Sequence, residues 1–433
     1  MPSISVEILY NIFLQHPSVT TDTRKINQGD IFFALKGPNF NANDFALQAI
    51  KEGAAYAVID DATLPPHNQL LFCNNVLTML QNLASFHRNK FSIPVIAITG
   101  SNGKTTTKEL VHTVLSTKCK TSTTQGNLNN HIGIPLTLLR VSPDAEMVVV
   151  EMGANHQKEI EGYCAYARPT HGIITNCGKA HLEGFGGEAG VKKGKGELFD
   201  FLKKNDSPAF NCNDYDYFLS MVEERNMNQV IWYGTSKNAS IMGHVLSAAP
   251  FLQVEITDGF DIPFIIETQL VGDYNLYNIL AAVTVGQYFG VSSREIQKAI
   301  SGYFPDNSRS QLIKVDGNTI ILDAYNANPS SMTAAINNFA HLQADKKILM
   351  LGAMAELGEE SLEEHNLIIA QIDQYKWEKV ILVGGDFGKV IHKYSYYEST
   401  SEAANWWKAQ KMEGITLLLK GSRSMAMEKV LAK

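Results

Sequence analysis

A short glycine-framed turn between an apolar run and a polar helix start constrains this chain more than any other feature. The apolar run, residues 93–98, predicts a buried strand of a parallel sheet. Gly100 and Gly103 frame the turn, and Lys104 to Thr107 lead into a predicted helix. Strand, glycine turn, Lys-Thr and helix is the layout of a loop that binds a nucleoside triphosphate. The N–H groups of such a turn and the positive helix end favour a phosphate.

The glycine spacing of this loop departs from the common form. The usual pattern has a glycine five residues before the second glycine of the loop, and that position is Ile98. The alternative is therefore a plain strand–turn–helix in which Gly-Lys-Thr is only a turn and cap. In a phosphate loop, Lys104 would reach the outer phosphates and the Thr105 hydroxyl would ligate Mg²⁺. The other predicted nucleotide contacts of the loop are Gly100, Ser101, Asn102, Gly103 and Thr106.

Composition and charge narrow the class of protein. At 433 residues the chain is too long for one hydrophobic core, which predicts two or three domains. It has 37 basic and 44 acidic side chains, a net charge of −7 and no basic cluster interleaved with aromatics, so we expect no nucleic-acid partner. No apolar run approaches membrane-spanning length, so we expect no membrane insertion. Five cysteines without a C-x-x-C pair predict reduced thiols in a cytoplasmic protein.

Three segments of the chain predict three α/β domains. Residues 1–91 contain short apolar strands and a helical pattern over residues 45–52. Strand and helix signals alternate through residues 92–304, which favours a mainly parallel sheet covered on both faces. Residues 305–433 repeat the alternation and predict a Rossmann-like domain. The predicted hinge before this domain is residues 305–308.

Side chains that follow predicted strands suggest a metal site. Glu151 ends the apolar run at residues 147–151, and open α/β sheets bind ligands at that end of a strand. A carboxylate there suits Mg²⁺, although a solvated strand end is the alternative. His181 lies in a glycine-rich segment after another strand, where a lone histidine is more often structural than a ligand.

Lysines and polar turns elsewhere also have two interpretations. Lys192, Lys193 and Lys195 crowd a predicted helix start, where a charge run is usually solvated but one lysine could face a phosphate. Residues 323–329 and 420–423 end two strands of the last domain. They contain turn formers and a predicted helix start, and they also suit hydrogen bonds to a ribose, a peptide or an anion.

Two classes of function remain open on these residues. One is a ligase or kinase that uses ATP chemically, and the other is a binding protein switched by a nucleotide. A binding protein switched by a nucleotide would not need further domains whose polar strand ends face one cleft. The presence of such domains in the prediction therefore favours the enzyme.

Taken together, these motifs resemble those of the Mur ligase family, the ATP-dependent amide-forming enzymes of peptidoglycan synthesis. The resemblance covers the whole chain, and a two-residue glycine spacing is the form that the family's phosphate loop takes. The other similar segments are residues 21–24, 29–37, 126–135, 151–154, 180–186, 324–329 and 331–332. Residues 180–186 and 324–329 are most similar to the family member that adds D-alanyl-D-alanine to UDP-N-acetylmuramoyl-tripeptide.

The resemblance implies a domain plan and a reaction. A UDP-substrate domain would cover residues 1–91, a central P-loop ATPase residues 92–304, and a Rossmann-like dipeptide domain residues 305–433. The implied enzyme joins D-alanyl-D-alanine to UDP-N-acetylmuramoyl-tripeptide through an acyl phosphate, as a monomer in the bacterial cytoplasm. The alternatives are another Mur-type or folylpolyglutamate synthase-like amide ligase and, outside the enzymes, a nucleotide-dependent binding protein.

The resemblance also implies roles for individual residues. Two Mg²⁺ ions would be bound by Thr105, Glu151, His181 and, if carbamylated, Lys195. The implied catalytic residues are Lys104, His181 and Lys195. The nucleotide would also contact Asn278 at adenine, Asp323 at ribose, and Arg309. The uridine diphosphate end would contact Asp22, Thr23, Arg24, Lys36 and Gly37. The dipeptide would contact Asn326, Asn328, Ser422 and Arg423.

Four positions depart from the family pattern. Tyr274 stands where a histidine is common, and Ser308 stands where a glycine usually precedes Arg309. Leu322 and Ala353 stand where aspartates are common. None of the four removes a predicted metal ligand or Lys195.

Replacing Lys104 with alanine tests the assignment of the phosphate loop. We expect Lys104→Ala to abolish ATP turnover, since losing one preorganised electrostatic contact commonly costs on the order of 10²–10³ in rate. The fold should stay intact, which circular dichroism would show beside an ADP-release assay. Near-normal turnover in the variant would exclude Lys104 from the site.

Overall fold

The computed structural model describes residues 2–306 and 308–432. Asn307, which belongs to the predicted hinge at residues 305–308, lies outside the described residues. Strands and helices alternate along most of the chain, which confirms the predicted α/β fold class. No helix of the described part of the chain is long and apolar enough to cross a membrane.

The helices and strands are numbered in chain order. The α-helices are α1 (Val6–Gln15), α2 (Ala46–Lys51), α3 (Val76–Arg88), α4 (Lys104–Leu115), α5 (Gly133–Leu139), α6 (Glu159–Ala167), α7 (Leu182–Phe185), α8 (Glu188–Lys204), α9 (Asp216–Glu223), α10 (Leu276–Tyr288), α11 (Ser293–Ser301), α12 (Pro329–His341), α13 (Ser361–Ile372) and α14 (Thr400–Gln410). The strands up to the last third of the chain are β1 (Val19–Thr20), β2 (Ile31–Phe33), β3 (Lys36–Gly37), β4 (Phe40–Asn41), β5 (Tyr56–Ile59), β6 (Leu70–Phe72), β7 (Val95–Thr99), β8 (Thr121–Thr123), β9 (Met147–Glu151), β10 (His171–Ile174), β11 (Ala209–Cys212), β12 (Val230–Gly234), β13 (Ile241–Ser247), β14 (Gln253–Asp258) and β15 (Phe264–Glu267). The remaining strands are β16 (Gln311–Val315), β17 (Asn318–Asp323), β18 (Lys347–Gly352), β19 (Lys379–Val383), β20 (Ser395–Tyr397) and β21 (Thr416–Lys420).

The first of two compact units contains a small parallel sheet. This unit comprises the chain up to Ala97, Cys119–Ala154 and Lys158–Gly172. The sheet has the order β1-β2-β5-β6, and all its pairs are parallel. All three side chains of β2 are buried, as expected for an inner strand of a parallel sheet. Strand β9 is buried along its whole length and pairs in parallel with β8, so Glu151 ends a core strand of this unit.

The second unit contains two larger groups of strands. It comprises Ile98–Lys118, Asn155–Gln157 and the chain from Ile173 onwards. Five strands of the nine-stranded central sheet follow one another in it in the order β15-β14-β13-β12-β11. A six-stranded sheet has the order β16-β17-β21-β18-β19-β20 and is parallel except for β16. The buried strands of this sheet supply most of a hydrophobic core, and their carboxyl ends place polar side chains along one edge.

Strand β9 has its predicted bounds, residues 147–151, whereas β7 spans Val95–Thr99 and one local prediction was wrong. The central sheet was predicted to be mainly parallel, and β13, β14 and β15 are antiparallel strands that the prediction did not assign. Their connections span five residues each, too short for a parallel crossover. The segment after β21 forms two short 3₁₀ helices, Arg423–Met425 and Met427–Leu431, instead of the predicted helix start, because Ala426 between them is left-handed.

The predicted helix start at the lysine cluster was also wrong. Helix α8 begins at Glu188, so Lys192, Lys193 and Lys195 lie in its second and third turns. Their side chains therefore point in different directions around the helix, and the three lysines have different environments.

Candidate active site

The phosphate loop has a backbone shape that only glycine allows at two positions. Gly100 has a φ of +143° and Gly103, which precedes α4, has a φ of +78°. A Cβ at Gly100 would lie 2.0 Å from Thr175 Oγ1, and one at Gly103 would lie 2.4 Å from Asn278 Oδ1. Both the dihedral angle and the surrounding space therefore exclude a side chain.

The loop is held by the segment that follows β10. The backbone N–H of Ser101 donates to the Asn176 carbonyl over 2.9 Å, and that of Asn102 donates to Asn176 Oδ1 over 3.0 Å. The Thr175 hydroxyl donates to the Asn102 carbonyl over 2.6 Å, and the Ser101 hydroxyl donates to the Gly178 carbonyl over 2.8 Å. Sequence reasoning missed Thr175 and Asn176, which directly follow β10.

Lys104 and the threonines begin α4 directly after the turn. The Lys104 ammonium donates to the carbonyls of Gly100 and Ser101 over 2.6 and 3.1 Å, so it lies over the loop itself. Thr105 is buried and Thr106 is half-buried. A lysine at the start of a helix that follows a glycine-framed turn suits the β- and γ-phosphates of a nucleotide.

Asn278 lies behind this loop. Its Oδ1 accepts the Thr107 hydroxyl over 3.0 Å, and its Nδ2 donates to Asn275 Oδ1 over 2.8 Å. The first bond connects α10 to α4, and the second connects Asn278 to the residue that precedes α10. A contact between Asn278 and adenine stays a prediction.

Glu151 belongs to the first unit, at the end of β9. Its carboxylate is buried, and Oε1 accepts Asn129 Nδ2 over 2.7 Å. Asn129 lies in the segment 126–135 that resembles the family, and Gly153 leaves room for its side chain. An amide that fixes one carboxylate oxygen orients the group for a hard cation.

His181 and Glu356 form a hydrogen-bonded pair within the second unit. Nδ1 of His181 contacts Oε2 of Glu356, and this hydrogen bond lowers the pKa of Glu356. Both residues have left-handed backbone dihedrals, with φ of 53° and 61°. Non-glycine residues in this region cost on the order of 1–3 kcal/mol each and persist only where the surroundings impose them. Sequence reasoning missed Glu356, which lies two residues after the segment 351–354 compared with the family.

The side chains of the three lysines of α8 differ in how deeply they are buried. Lys195 is buried, with its ammonium 4.8 Å from the centre of the Phe185 ring. Lys192 is half-buried against Tyr217, and Lys193 is exposed. The structure therefore distinguishes Lys195 as the lysine in an enclosed environment.

The donor set determines which metal the site suits. Among the residues that the structure describes, no three His, Cys, Asp or Glu side chains are grouped to hold a metal ion. Mg²⁺ needs no such cage, since it commonly uses one or two protein oxygens together with waters and substrate phosphates. The buried Thr105 hydroxyl in the second unit is a ligand of that kind and fits Mg²⁺ carried by a nucleotide. The buried Glu151 carboxylate in the first unit has a chemistry that suits the same ion.

The predicted residues of the last domain lie at the carboxyl ends of its strands. Asp323 accepts the Lys420 ammonium over 2.6 Å, and Asn326 Oδ1 accepts the Arg423 N–H over 3.2 Å. The Arg309 guanidinium carbon lies 3.7 Å from the centre of the Tyr325 ring.

Asn328 was predicted to contact the dipeptide, and its side chain forms hydrogen bonds with Asn102 and Ser331. Its Nδ2 donates to Asn102 Oδ1 of the phosphate loop over 2.8 Å, and its Oδ1 caps α12 by accepting the Ser331 N–H. The Ser422 hydroxyl contacts Ser424 over 3.1 Å. Asn328 therefore connects the start of α12 to the nucleotide loop.

The predicted UDP-substrate residues all lie in the first unit. Asp22 and Arg24 form two hydrogen bonds of 2.8 Å, and the Arg24 hydrogen bond lowers the pKa of Asp22 to about 2. Thr23 begins a 3₁₀ turn capped by Asp22. Lys36 pairs with Asp60 over 2.9 Å, and Gly37 is exposed on β3. Arg24, Lys36 and Gly37 are exposed, and Asp22 and Thr23 are half-buried.

The α/β fold, the glycine-framed loop and the lysine over it define a nucleotide-binding enzyme of the P-loop class. Residues 98–286 match the model of the Mur ligase middle domain, and residues 308–423 match that of the Mur ligase, glutamate ligase domain. The chain belongs to the Mur ligase family.

Individual relatives cover nearly the whole chain. It is 34% identical to the UDP-N-acetylmuramoyl-tripeptide–D-alanyl-D-alanine ligase of Bacillus subtilis, over 95% of this chain and 92% of that protein. The ligase of the same name from Escherichia coli is 35% identical, with the same coverage. The solved structure of MurF from Acinetobacter baumannii superposes with a TM-score of 0.85 at 28% identity, covering 96% of this chain and 92% of that one. MurF ligase from Thermotoga maritima in complex with ADP also gives a TM-score of 0.85, at 25% identity, covering 96% and 97%.

Gly100→Ala tests whether the shape of the loop binds the nucleotide. The added methyl group would meet the Thr175 hydroxyl, so we expect ADP binding to be lost in calorimetry and the melting temperature to fall. Gly162→Ala is the matched control, because Gly162 lies in α6 with open space around its Cβ position. Wild-type ADP affinity in Gly100→Ala would contradict the assignment.

Proposed function

We propose that this chain joins D-alanyl-D-alanine to UDP-N-acetylmuramoyl-tripeptide at the expense of ATP, releasing ADP and phosphate. The observation that carries the proposal is the nearly full-length similarity to two ligases of that name. The similarity extends over both units, which contain the predicted UDP-substrate residues and the phosphate loop respectively.

The first step of the proposed reaction activates the tripeptide. Its terminal carboxylate attacks the γ-phosphorus of ATP, an O–P bond forms, and the bond to the ADP oxygen breaks. Lys104 stabilises the charge that develops on the transferred phosphoryl group, and the loop N–H groups hold the phosphates in place. Bound Mg²⁺ would supply further charge neutralisation on the phosphate oxygens.

The second step forms the amide. The neutral amine of D-alanyl-D-alanine attacks the acyl carbon, and an N–C bond forms in a tetrahedral intermediate. The C–O bond to phosphate then breaks, and the leaving phosphate takes the proton that the amine loses. Positioning of the amine against the acyl phosphate contributes to the rate enhancement in such a transfer. Asn326, Ser422 and Arg423 are the residues that we assign to the acceptor.

We assign the three substrates to three segments of the chain. Residues 1–91 would bind the UDP end, residues 92–304 ATP, and residues 305–433 the dipeptide, with domain closure before the chemical step. Asp22, Thr23, Arg24, Lys36 and Gly37 support the first assignment, because each of them is at least partly exposed. All of these residues come from one chain, so we propose a monomer, acting in the bacterial cytoplasm where both nucleotides are supplied.

We further propose two Mg²⁺ ions and a carbamylated Lys195. A buried ammonium is costly, whereas a neutral amine can add CO₂, forming an N–C bond and releasing a proton. The product is an anion that would support the second ion beside His181. The burial of Lys195 and the exposure of Lys193 support this choice of lysine.

Labelled bicarbonate tests the modification. After incubation with ¹³C-bicarbonate, the wild type should show a carbamate carbonyl signal in its ¹³C NMR spectrum. Lys195→Met should lack the signal, and Lys193→Met should keep it, because Lys193 is exposed on the same helix. An identical spectrum for the wild type and Lys195→Met would refute carbamylation at this position.

An ADP-release assay tests the function. With ATP, Mg²⁺ and UDP-N-acetylmuramoyl-tripeptide, we expect release to depend on D-alanyl-D-alanine and to be negligible with D-alanine, L-alanine or L-glutamate. Omission of the tripeptide is the control for uncoupled hydrolysis. Release with a single amino acid would instead indicate another amide ligase of the family. Nucleotide binding without acceptor-dependent release would indicate a binding protein.

A further inference from the structure

A buried lysine joins two of the polar strand ends of the six-stranded sheet. Lys420 is the last residue of β21, and only 2% of its side chain is exposed. Its ammonium donates to Asp323 Oδ2 over 2.6 Å and to the Asn326 carbonyl over 3.2 Å. One cation therefore contacts both the carboxylate that ends β17 and the loop that follows it.

The strand register determines this arrangement. Strands β17 and β21 are parallel neighbours, and Asp323 is the partner of Lys420 in their register. On its other side β21 pairs with β18, so Lys420 lies in the middle of the sheet. A lysine buried there needs acceptors, because an unpaired buried charge costs several kcal/mol, and β17 and the loop after it supply both of those described.

Asp323 and Asn326 each form a hydrogen bond with a further segment of the chain. The other oxygen of Asp323 accepts the Ser310 N–H over 3.1 Å, and the Ser310 hydroxyl contacts Tyr274 Oη over 2.9 Å. Ser310 has a left-handed φ of 49°, which marks a backbone that its surroundings hold in place. Asn326 Oδ1 accepts the Arg423 N–H. A continuous set of hydrogen bonds thus runs from Tyr274 through Lys420 to Arg423.

We propose that Lys420 is a positioning residue that fixes the nucleotide side and the acceptor side of the site together. The inference rests on the proposed function, in which Asp323 contacts the ribose and Asn326 and Arg423 contact the dipeptide. The Lys420 ammonium holds the Asp323 carboxylate on one side and the backbone of the Asn326 loop on the other. Loss of the ammonium releases both groups at once.

Substitution of Lys420 with methionine tests this role. Methionine keeps most of the volume and removes the donor. We expect KM for ATP, KM for the acceptor and the Kd for ADP in calorimetry each to rise about tenfold, which is typical for loss of a hydrogen bond to a charged group. Lys420→Arg keeps a cation beside Asp323 and should recover ADP affinity more than acceptor KM.

Lys347→Met is the matched control. Lys347 begins β18 at the opposite end of the same sheet, and its ammonium donates to the backbone carbonyls of Ala340 and Leu342. This substitution also removes a lysine bonded to backbone carbonyls, so it should lower the melting temperature without changing either KM.

The outcomes separate the inference from the proposed function. The acceptor used is whichever one supports ADP release by the wild type, so a different acceptor would refute the proposed substrate and still test Lys420. Folded Lys420→Met with either KM within twofold of the wild type, or an equal effect in Lys347→Met, would overturn the inference. If Lys420→Met does not fold, Asp323→Asn/Lys420→Met removes both charges. An unchanged acceptor KM in that folded double variant would also overturn it.

Discussion

The backbone of the glycine-framed loop depends on the steric fit of two glycines. Gly100 lies so close to the Thr175 hydroxyl that a methyl group has no room, and a Cβ at Gly103 would lie 2.4 Å from Asn278 Oδ1. The loop can pass through these positions only because neither residue carries a side chain. The segment after β10 and the helix α10 therefore shape the loop, although neither carries a residue of it.

The sequence predicted the bounds of a strand that is buried along its whole length. Strand β9 spans residues 147–151 as predicted, and all five of its side chains are buried. The antiparallel strands β13 to β15 were missed, since alternating strand signals do not reveal pairing direction, whereas five-residue connections do. The helix predicted after β21 was wrong for a local reason. The left-handed backbone of Ala426 interrupts the segment, which otherwise contains residues that a helix allows.

The chemistry of the candidate site was predictable at the positions where a motif carries it, and its supporting contacts were not. Lys104 and Thr105 follow from the strand–turn–helix pattern. Charge alone could not choose among the three lysines of α8, and only their burial separates Lys195 from its neighbours. Glu356 lies 175 positions from His181 in the chain, so no local pattern connects them. Contacts of this kind depend on the tertiary fold, which single-sequence periodicity does not determine.

Contacts within the second unit show how the acceptor side and the nucleotide side are connected. Asn328 caps α12 and donates to Asn102 of the phosphate loop, so the start of that helix and the loop share one hydrogen bond. His181 and Glu356 form a second connection, in which two left-handed residues are held against each other. A displacement of α12 would remove the hydrogen bond to Asn102 Oδ1, whereas the bonds of Ser101 and Asn102 to the segment after β10 would stay. The hydrogen bond between Asn328 and Asn102 therefore links the position of α12 to the conformation of the glycine-framed loop.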